Sequence, residues 1–286
     1  MALDLPNLSQ GERMQRVLQI LETRDSVPVT ELAHLFSVSE VTIRHDLSEL
    51  ARRGLVARVR GGARPLERGH SELAFDVRLR LQAAEKRAIA RAASELVSDG
   101  EAVALDSSTT AYYLARELST RQELVVVTNG LLIAAALVDS PGVNVLVTGG
   151  MLRLPSMSVV GHLSADVLRT TQIDRGFFGA RGLSLERGLM DLNPDEVRTK
   201  QAIAAACEQV YGVLDGTKWH RSALLTFVST EDIDGIVTDA RAPADAVEAW
   251  RAAGVQVVTA GSTPDEQPAQ RSGERHRSVQ IPDQRG

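Results

Sequence analysis

The sequence predicts an α/β protein of two parts, a small N-terminal helical module and a larger domain built on a mainly parallel sheet. Near the start, apolar residues recur at helical spacing, as at Met14, Val17, Leu18 and Leu21. From residue 101 onward, short β-rich runs alternate with helical stretches, which is typical of parallel strands joined by helices. The length of 286 residues fits about two domains.

We place the first domain at residues 1–63, a linker at 64–85, the second domain at 86–260 and a disordered polar tail at 261–286. The first residues do not show the signal-peptide pattern of a basic segment followed by an apolar run. No stretch approaches the roughly 20 apolar residues that span a bilayer. Cys207 is the single cysteine, so an intrachain disulfide is excluded. We expect a reducing cytoplasm, no membrane partner, and Cys207 as a small helix residue.

After a first helix in "SQGERMQRVLQILETR", which "VPV" ends, the N-terminal module is predicted to have two further helices joined by a tight turn, and then a basic hairpin. Thr30 is expected to cap "TELAHLF", whose Leu32, Leu35 and Phe36 face inward. After the turn "SVS", Ser39 is expected to cap "SEVTIRHDLSELARRG". In "LVARVRGGARP" apolar and basic residues alternate before a glycine pair, which predicts a short two-stranded hairpin. Together these elements predict a winged helix-turn-helix.

The second of these helices has one apolar face, at Ile43, Leu47 and Leu50. Its opposite face offers a methyl group, hydroxyls, an imidazole and a guanidinium, which suit base edges and phosphates in a major groove. From residue 44 to 64, six arginines stand against two acids in a chain of net charge −5. A basic helix in a protein-interaction module is the alternative. The predicted DNA-binding residues are Ser39, Val41, Thr42, Arg44, His45, Ser48, Arg52, Arg58 and Arg60.

Polar groups follow several predicted strands of the second domain, at the ends where ligands of open parallel sheets collect. The run "AVALD" leads into four hydroxyl residues and a helix start whose N–H groups can bind an anion. Each later run, "VVVTN", "VLVTGG" and "VLDGTK", is by itself more typical of a turn, but four in register favour a binding site. The candidate residues are Asp106, Ser107, Ser108, Thr109, Thr110, Thr128, Asn129, Gly149, Gly150, Asp215 and Lys218.

Glu196 and Lys200 extend this candidate site. They lie one turn apart in "LNPDEVRTKQ", a helix that Asn193 is expected to cap, with Pro194 in its first turn. The alternative is a surface ion pair worth about 0.3–0.5 kcal/mol. Lysine is rare in this arginine-rich chain, occurring only at positions 86, 200 and 218. A retained lysine is therefore favoured where a compact ammonium is needed.

The stretch "VPVTELAHLFSVSEVTIRHDLSELARRGLVARVRGGA" resembles the N-terminal region of the DeoR family of bacterial transcriptional regulators. The resemblance continues through "EKRAIARAASELVSDGEAVALDSSTT", "VVVTN", "VLVTGG", "FFGARGL" and "VLDGTK", and so covers almost the whole chain except the tail. It implies that the first domain binds operator DNA and that the second is a sugar-phosphate sensor with a fold resembling ribose 5-phosphate isomerase. Most relatives are repressors relieved by a phosphorylated intermediate. We expect a homodimer or higher homo-oligomer, because operators are read by symmetric assemblies.

The resemblance also assigns roles and marks departures. Glu196 would bind sugar hydroxyls, and Lys200 or Lys218 the phosphate; Lys86 matches the family without an assigned role. His45 replaces a usual arginine, and Arg60 replaces a usual histidine, which predicts a different operator. Ser108 stands where relatives carry glycine. Either that position does not need a positive φ, or the loop has shifted and the hydroxyl compensates.

Enzymatic readings are weaker. A nucleophilic Ser107 or Ser108 lacks the G-x-S-x-G pattern, the G-x-x-x-x-G-K-[ST] phosphate loop is absent, and no Cys or His cluster has metal-ligand spacing. We therefore expect no catalytic residues, no cofactor and no metal. A sugar-phosphate isomerase with a fused DNA-binding module is the main alternative, because Asp106, Glu196, Asp215 and the lysines can imitate its acid–base set. The attached DNA-binding module favours a ligand-sensing role for the second domain, because a catalytic site would consume the metabolite that serves as the signal.

Overall fold

The computed structural model describes residues 8–24, 26–52, 55–65, 74–161 and 168–261. The predicted disordered tail, apart from residue 261, lies outside the described residues, and so does the middle of the predicted linker, 66–73. Among the described helices, none is both long and apolar enough to cross a membrane.

Over its described residues, the N-terminal module has three helices and a small antiparallel sheet with the strand order β1-β3-β2. Its helices are α1 (Gln10–Thr23), α2 (Val29–Leu35) and α3 (Glu40–Arg52), and its strands are β1 (Val27–Pro28), β2 (Val56–Val59) and β3 (Gly62–Pro65). Helix α1 begins at a capping box formed by Ser9 and Glu12. The predicted two-stranded wing is confirmed, and its second strand runs to Pro65, two residues beyond the predicted end of the domain.

Two local predictions at the helix starts have opposite outcomes. Ser39 does cap α3, because its hydroxyl accepts the Thr42 N–H at 3.1 Å. Thr30 does not cap α2. The helix begins at Val29, before Thr30, and has no side-chain cap. The reason is β1, a two-residue strand that the sequence analysis missed. Its pairing with β3 fixes the backbone up to Pro28, so the helix starts directly after that residue.

The second domain is built on a seven-stranded parallel sheet with the order β15-β14-β12-β9-β4-β5-β6. Each strand coincides with one of the β-rich runs, so the mainly parallel α/β fold is confirmed. These strands are β4 (Ala102–Leu105), β5 (Leu124–Thr128), β6 (Val143–Val147), β9 (Ile173–Phe178), β12 (Cys207–Val213), β14 (Gly235–Asp239) and β15 (Gln256–Ala260).

The helices of this domain pack on both sides of the sheet, with one apolar cluster around Leu114 and Val126 and another around Phe178 and Ile203. Those whose bounds fall within the described residues are α4 (Phe75–Arg80), α5 (Ala83–Ser94), α6 (Thr109–Leu118), α7 (Leu131–Leu137), α8 (Pro194–Ala205) and α9 (Ala244–Ala252). Cys207 is buried but is not a helix residue: α8 ends at Ala205, and Cys207 begins β12 against Ile173 of β9. The predicted helix "DEVRTKQAIAAACEQ" is therefore too long at its end.

Five short antiparallel strands, which the sequence analysis missed, build walls beside the sheet. The hairpin β7 (Met151–Arg153) and β8 (Ser158–Val160) follows β6, and β10 (Gly182–Ser184), β11 (Gly188–Asp191) and β13 (Leu225–Val228) form a separate three-stranded sheet. Because all seven long strands are parallel, their carboxyl ends lie at one edge, and both small sheets contribute residues near that edge.

Candidate DNA interface and effector site

The outward face of α3 carries the predicted DNA-reading side chains. Val41 is 71% exposed, so its methyl groups are accessible on this face. Arg44, His45 and Ser48 are also exposed, while Thr42 is half-buried beside the capping hydroxyl of Ser39. The structure thus brings the predicted helix residues together on one accessible face of α3, as reading a major groove with this helix would require.

Arginines surround this surface. Arg44 and Arg52 form exposed ion pairs with Glu40 and Glu49, which are weak enough to exchange for phosphate contacts. Arg58 of β2 donates to the backbone oxygen of Arg44 at 3.1 Å, so the wing is held against α3. The remaining wing residue, at position 60, lies exposed in the turn between β2 and β3.

Asp46 does not belong to this surface, although it was counted among the charges of the basic segment. It is fully buried, and both of its carboxylate oxygens accept bonds from Arg13 of α1, at 2.5 and 3.2 Å. This bidentate pair fixes α3 against α1. The exposed face is therefore more basic than the sequence count implies. Arg13 was missed because a buried ion pair between distant helices leaves no local pattern.

A polar cavity of about 220 Å³ lies at the carboxyl edge of the large sheet. It brings together eight of the predicted effector residues, namely Ser107, Ser108, Thr109, Thr110, Glu196, Lys200, Asp215 and Lys218. Residues that the sequence analysis missed or left without a role complete the basic part of the wall: Arg78, Lys86, Arg181 and Arg221. Six basic side chains line the cavity against three acidic ones, so its charge favours an anion.

The turn between β4 and α6 forms one wall. Asp106 is fully buried beneath it and accepts the N–H groups of Ser108 and Gly179, both at 3.1 Å. The Ser108 hydroxyl caps α6 by accepting the Ala111 N–H at 3.1 Å. Ser108 has φ −79°, an unstrained extended conformation. Of the two explanations for serine in place of glycine, the structure supports the first, because this position does not need a positive φ.

Lys200 occupies the floor, and the alternative of a surface ion pair with Glu196 is wrong. Its ammonium is buried, 3.0 Å from Asp106 and 2.7 Å from Asp191, and it donates to the Gly179 carbonyl at 2.8 Å. Burial favours a lower pKa for Lys200, but the two carboxylates outweigh it and raise the pKa above its ordinary value. Burial likewise opposes the charge of Asp191, yet Lys200 and Arg181 hold its pKa below the usual range. Asp191 was missed because it lies on a three-stranded sheet that periodicity did not reveal.

Glu196 lies on α8, which begins at the predicted Asn193 cap. One carboxylate oxygen accepts the hydroxyls of Ser156 and Ser158, each at 2.5 Å, and lies 3.4 Å from the Arg153 guanidinium. The other oxygen has longer contacts, 3.3 Å to the Ser107 hydroxyl and 3.5 Å to the Asn129 amide. The hairpin β7–β8 therefore orients this carboxylate, leaving its second oxygen toward the cavity with weaker bonds.

Five predicted effector residues do not line the cavity. Asp106 supports its wall from beneath, and Asn129 bonds to Glu196 from behind. Thr128 uses its hydroxyl on the backbone, donating to the Leu105 carbonyl and accepting the N–H of residue 130. Gly149 and Gly150 have positive φ, and a Cβ on Gly150 would lie 2.4 Å from the Val160 carbonyl. These two glycines serve the turn into β7 and its approach to β8, and do not touch the cavity.

The opposite wall begins at Asp215, after β12. Its buried carboxylate accepts the N–H of Thr217 at 3.0 Å, which fixes the short 3₁₀ turn containing Lys218. Burial would raise the pKa of Asp215, but Lys218, the Thr217 hydrogen bond and Lys86 keep it below the usual range. Two lysine charges are thus directed to one side of the cavity. Within the described residues, no group of His, Cys, Asp or Glu side chains could hold a metal ion.

A winged helix-turn-helix joined to an α/β domain with a basic cavity defines a transcriptional regulator with a ligand-sensing domain. Comparison with known proteins identifies the family. A model described as the DeoR-like helix-turn-helix domain matches residues 13–68, and one described as the DeoR C terminal sensor domain matches residues 81–240. The chain belongs to the DeoR family of transcriptional regulators.

The similar proteins extend over nearly the full length on both sides. A protein of Escherichia coli O157:H7, named as a candidate transcriptional repressor of the aga operon, is 37% identical, covering 88% of this chain and 94% of that protein. The glycerol-3-phosphate regulon repressor of Escherichia coli K12 is 31% identical over 84% of this chain and 95% of its own. A ribose 5-phosphate isomerase bound to phospho-erythronic acid matches 47% of this chain and 52% of that one, with 13% identity and a TM-score of 0.36. A structural similarity at that level says nothing about function.

Proposed function

We propose that this protein is a repressor of a sugar or carbohydrate catabolic operon that leaves its operator when a phosphorylated sugar fills the cavity. The observation that carries the proposal is the cavity at the carboxyl edge of the sheet. There a helix N-terminus with four hydroxyl residues faces a wall of lysine and arginine side chains. Relatives named as repressors of the aga operon and of the glycerol-3-phosphate regulon support the choice of ligand class.

The two sides of the cavity suit the two chemical parts of such a ligand. The start of α6 and the lysine side support binding of a phosphate, through backbone N–H groups, hydroxyls and positive charge. Glu196 supports binding of sugar hydroxyls, because its second carboxylate oxygen has only long contacts at 3.3 and 3.5 Å. A volume of about 220 Å³ favours a small metabolite.

We further propose that the site binds without turnover. A general base works best with a pKa near neutrality. The pKa of Lys200 is raised and the pKa of Asp191 is lowered, so both move away from neutrality, because each residue stabilises the charged form of the other. An ion pair buried in this way fixes the floor of the cavity and is poorly suited to moving a proton. This argues against the isomerase alternative.

Operator release requires that the effector prefer a conformer in which the two DNA readers no longer match the half-sites. We therefore propose a symmetric dimer or higher homo-oligomer acting on chromosomal DNA in the cytoplasm. The exposed Val41, His45 and Ser48 would read bases, and the arginines around them would contact phosphates.

A thermal-shift comparison of phosphorylated sugars with their unphosphorylated parents tests the proposal. Stabilisation is expected with at least one phosphorylated sugar and with none of the parents, followed by loss of operator binding in the presence of that compound. Ser107→Ala should weaken the stabilisation because it removes a cavity hydroxyl beside Glu196. The matched control is Ser119→Ala, at the other end of α6, where the hydroxyl bonds within its own helix turn, to the Arg116 carbonyl. Equal responses of the two variants, or no stabilisation by any phosphorylated sugar, would contradict the proposal.

A further inference from the structure

Helix α4 contacts both domains, with different faces. At about 100° per residue, Phe75 and Leu79 share one side of the helix and Val77 lies on the opposite side. Phe75 packs edge-on against Tyr112 of α6, with ring centroids 5.8 Å apart, and Leu79 packs against the core of the sensor domain. Val77 packs against the core of the DNA-binding module. The helix is therefore a direct physical link between the two cores.

The contact of α4 with the DNA-binding module reaches α3, the helix that carries the predicted DNA-reading residues. A small gap lies between α4 and the DNA-binding module. The residues around it come from four segments, namely Gly11, Met14 and Leu18 of α1, Leu50 of α3, Leu55, and Asp76, Val77 and Arg80 of α4. Because Leu50 belongs to the same helix as the DNA-reading residues, a displacement of α4 changes the packing directly behind the DNA-reading surface.

The other end of α4 is held by a lysine of the effector cavity. The Lys86 ammonium donates to the backbone oxygens of Arg78, at 2.5 Å, and Leu81, at 2.8 Å. These carbonyls belong to the last turn of α4 and the residue after it, where a positive charge is favourable. Lys86 is 5% exposed and lines the cavity, as do Arg78 and Leu81 themselves.

The connection between α4 and α5 has the backbone of a hinge. Gln82, which joins the two helices, has φ +52° and ψ 38°, a left-handed conformation that is rare outside glycine. Gln82 also lines the cavity, beside Lys86. Strained backbone of this kind collects at switch segments and persists only where its surroundings hold it.

We propose that Lys86 binds the phosphate of the effector and, by doing so, releases the C-terminal end of α4 and transmits binding to the DNA-binding module. The inference rests on the proposed function, because it needs an anion in the cavity. A phosphate in the cavity attracts the ammonium as a full opposite charge, more strongly than the two neutral carbonyls do, and so draws Nζ away from them. Once these carbonyls lose Lys86, α4 pivots at Gln82, and Val77 carries the movement to the module. The conformation in which Lys86 of α5 donates to the two carbonyls at the end of α4 is the operator-binding one.

The experiment compares Lys86→Met and Val77→Ala with the wild type, using the full chain and an operator selected from a randomised duplex pool. Arg91→Met, an exposed position on the same helix as Lys86, is the matched control. Glycerol 3-phosphate, ribose 5-phosphate and glucose 6-phosphate are the probes. Operator dissociation constants are measured by fluorescence anisotropy, without probe and at probe concentrations that saturate the thermal shift of each variant.

The wild type and Arg91→Met should bind operator on the order of 10-fold more weakly with the effective probe, a typical allosteric factor. Lys86→Met should bind operator weakly already without probe and respond by less than about 2-fold, because its α4 is released permanently. Val77→Ala should keep the wild-type affinity for the probe but lose most of the response.

The inference is overturned if Lys86→Met binds operator like the wild type and responds fully at saturation. Should Lys86→Met fail to fold, as judged by circular dichroism, a full response of Val77→Ala overturns it instead. If operator binding by the wild type responds neither to these three probes nor to any other phosphorylated sugar, the proposed function itself is overturned. A wild-type response that both variants share overturns only the role of Lys86 and α4.

Discussion

The serine at position 108 and the glycine at position 179 should be energetically coupled. A methyl group added at Gly179 would lie 2.4 Å from the Cβ of Ser108 and 2.6 Å from its hydroxyl oxygen, closer than real atoms approach. Gly179 cannot move away freely, because its N–H is bound to Asp106 and its carbonyl to Lys200. We expect Gly179→Ala to lower the free energy of unfolding of the sensor domain by about 1–3 kcal/mol, the usual cost of overpacking.

In a Ser108→Gly background the same methyl group should be tolerated. The nearest remaining atom is the Asp106 carboxylate oxygen at 3.9 Å, an ordinary contact. Ser108→Gly alone should cost only a few tenths of a kcal/mol, because glycine is an acceptable helix cap. The coupling energy in the double-mutant cycle is therefore expected to be about 1–3 kcal/mol.

Urea unfolding followed by tryptophan fluorescence measures this coupling in the right domain. The chain has two tryptophans, and both Trp219 and Trp250 are buried in the sensor domain. Ser119→Gly, at the other end of α6, is the control partner and should combine additively with Gly179→Ala. The steric argument is refuted if the Ser108 and Gly179 changes add within about 0.5 kcal/mol.

Three further outcomes are expected. Asp46→Ala should destabilise the DNA-binding module by about 3–5 kcal/mol, since it leaves the buried Arg13 charge unpaired; a melting curve like that of the wild type would contradict this. Asp191 and Asp215 have lowered pKa values when folded, so their stabilisation is present above the unfolded pKa near 4 and lost as the pH falls through the folded values. Urea midpoints of the sensor domain should fall accordingly below about pH 4, and a constant midpoint there would be inconsistent. His45→Ala should select a different operator consensus from a randomised duplex pool; an identical consensus would exclude His45 from base recognition.

The long elements were predictable from the sequence because each carries its own periodic signal. The seven parallel strands contain short β-rich runs, such as those of β4 and β5, and α3 has a clear apolar face at Ile43 and Leu47. The β1 pairing that moved the start of α2 to Val29, and the three-stranded sheet that carries Asp191, involve two to four residues per strand. Such short segments carry little periodic signal of their own, and unlike the wing or the parallel strands these depend on pairing with partners elsewhere in the chain.

The site was partly predictable for a related reason. Residues at strand ends, such as Ser107 and Lys218, follow visible runs and do reach the cavity. Gly150 follows such a run too, but its strand leads into the β7–β8 hairpin, so it meets Val160 instead. The burial of Lys200 between two carboxylates was not predictable, because one of them is a strand residue whose side-chain direction depends on the fold.

The central claim is that the effector cavity and the operator are linked, and reciprocity of binding tests it most directly. Calorimetry gives the dissociation constant of the effective phosphorylated sugar for the free protein and for the protein saturated with operator duplex. The account predicts weaker binding to the operator complex, by the same factor by which that sugar weakens operator binding. Equal sugar affinity in the two states would contradict it.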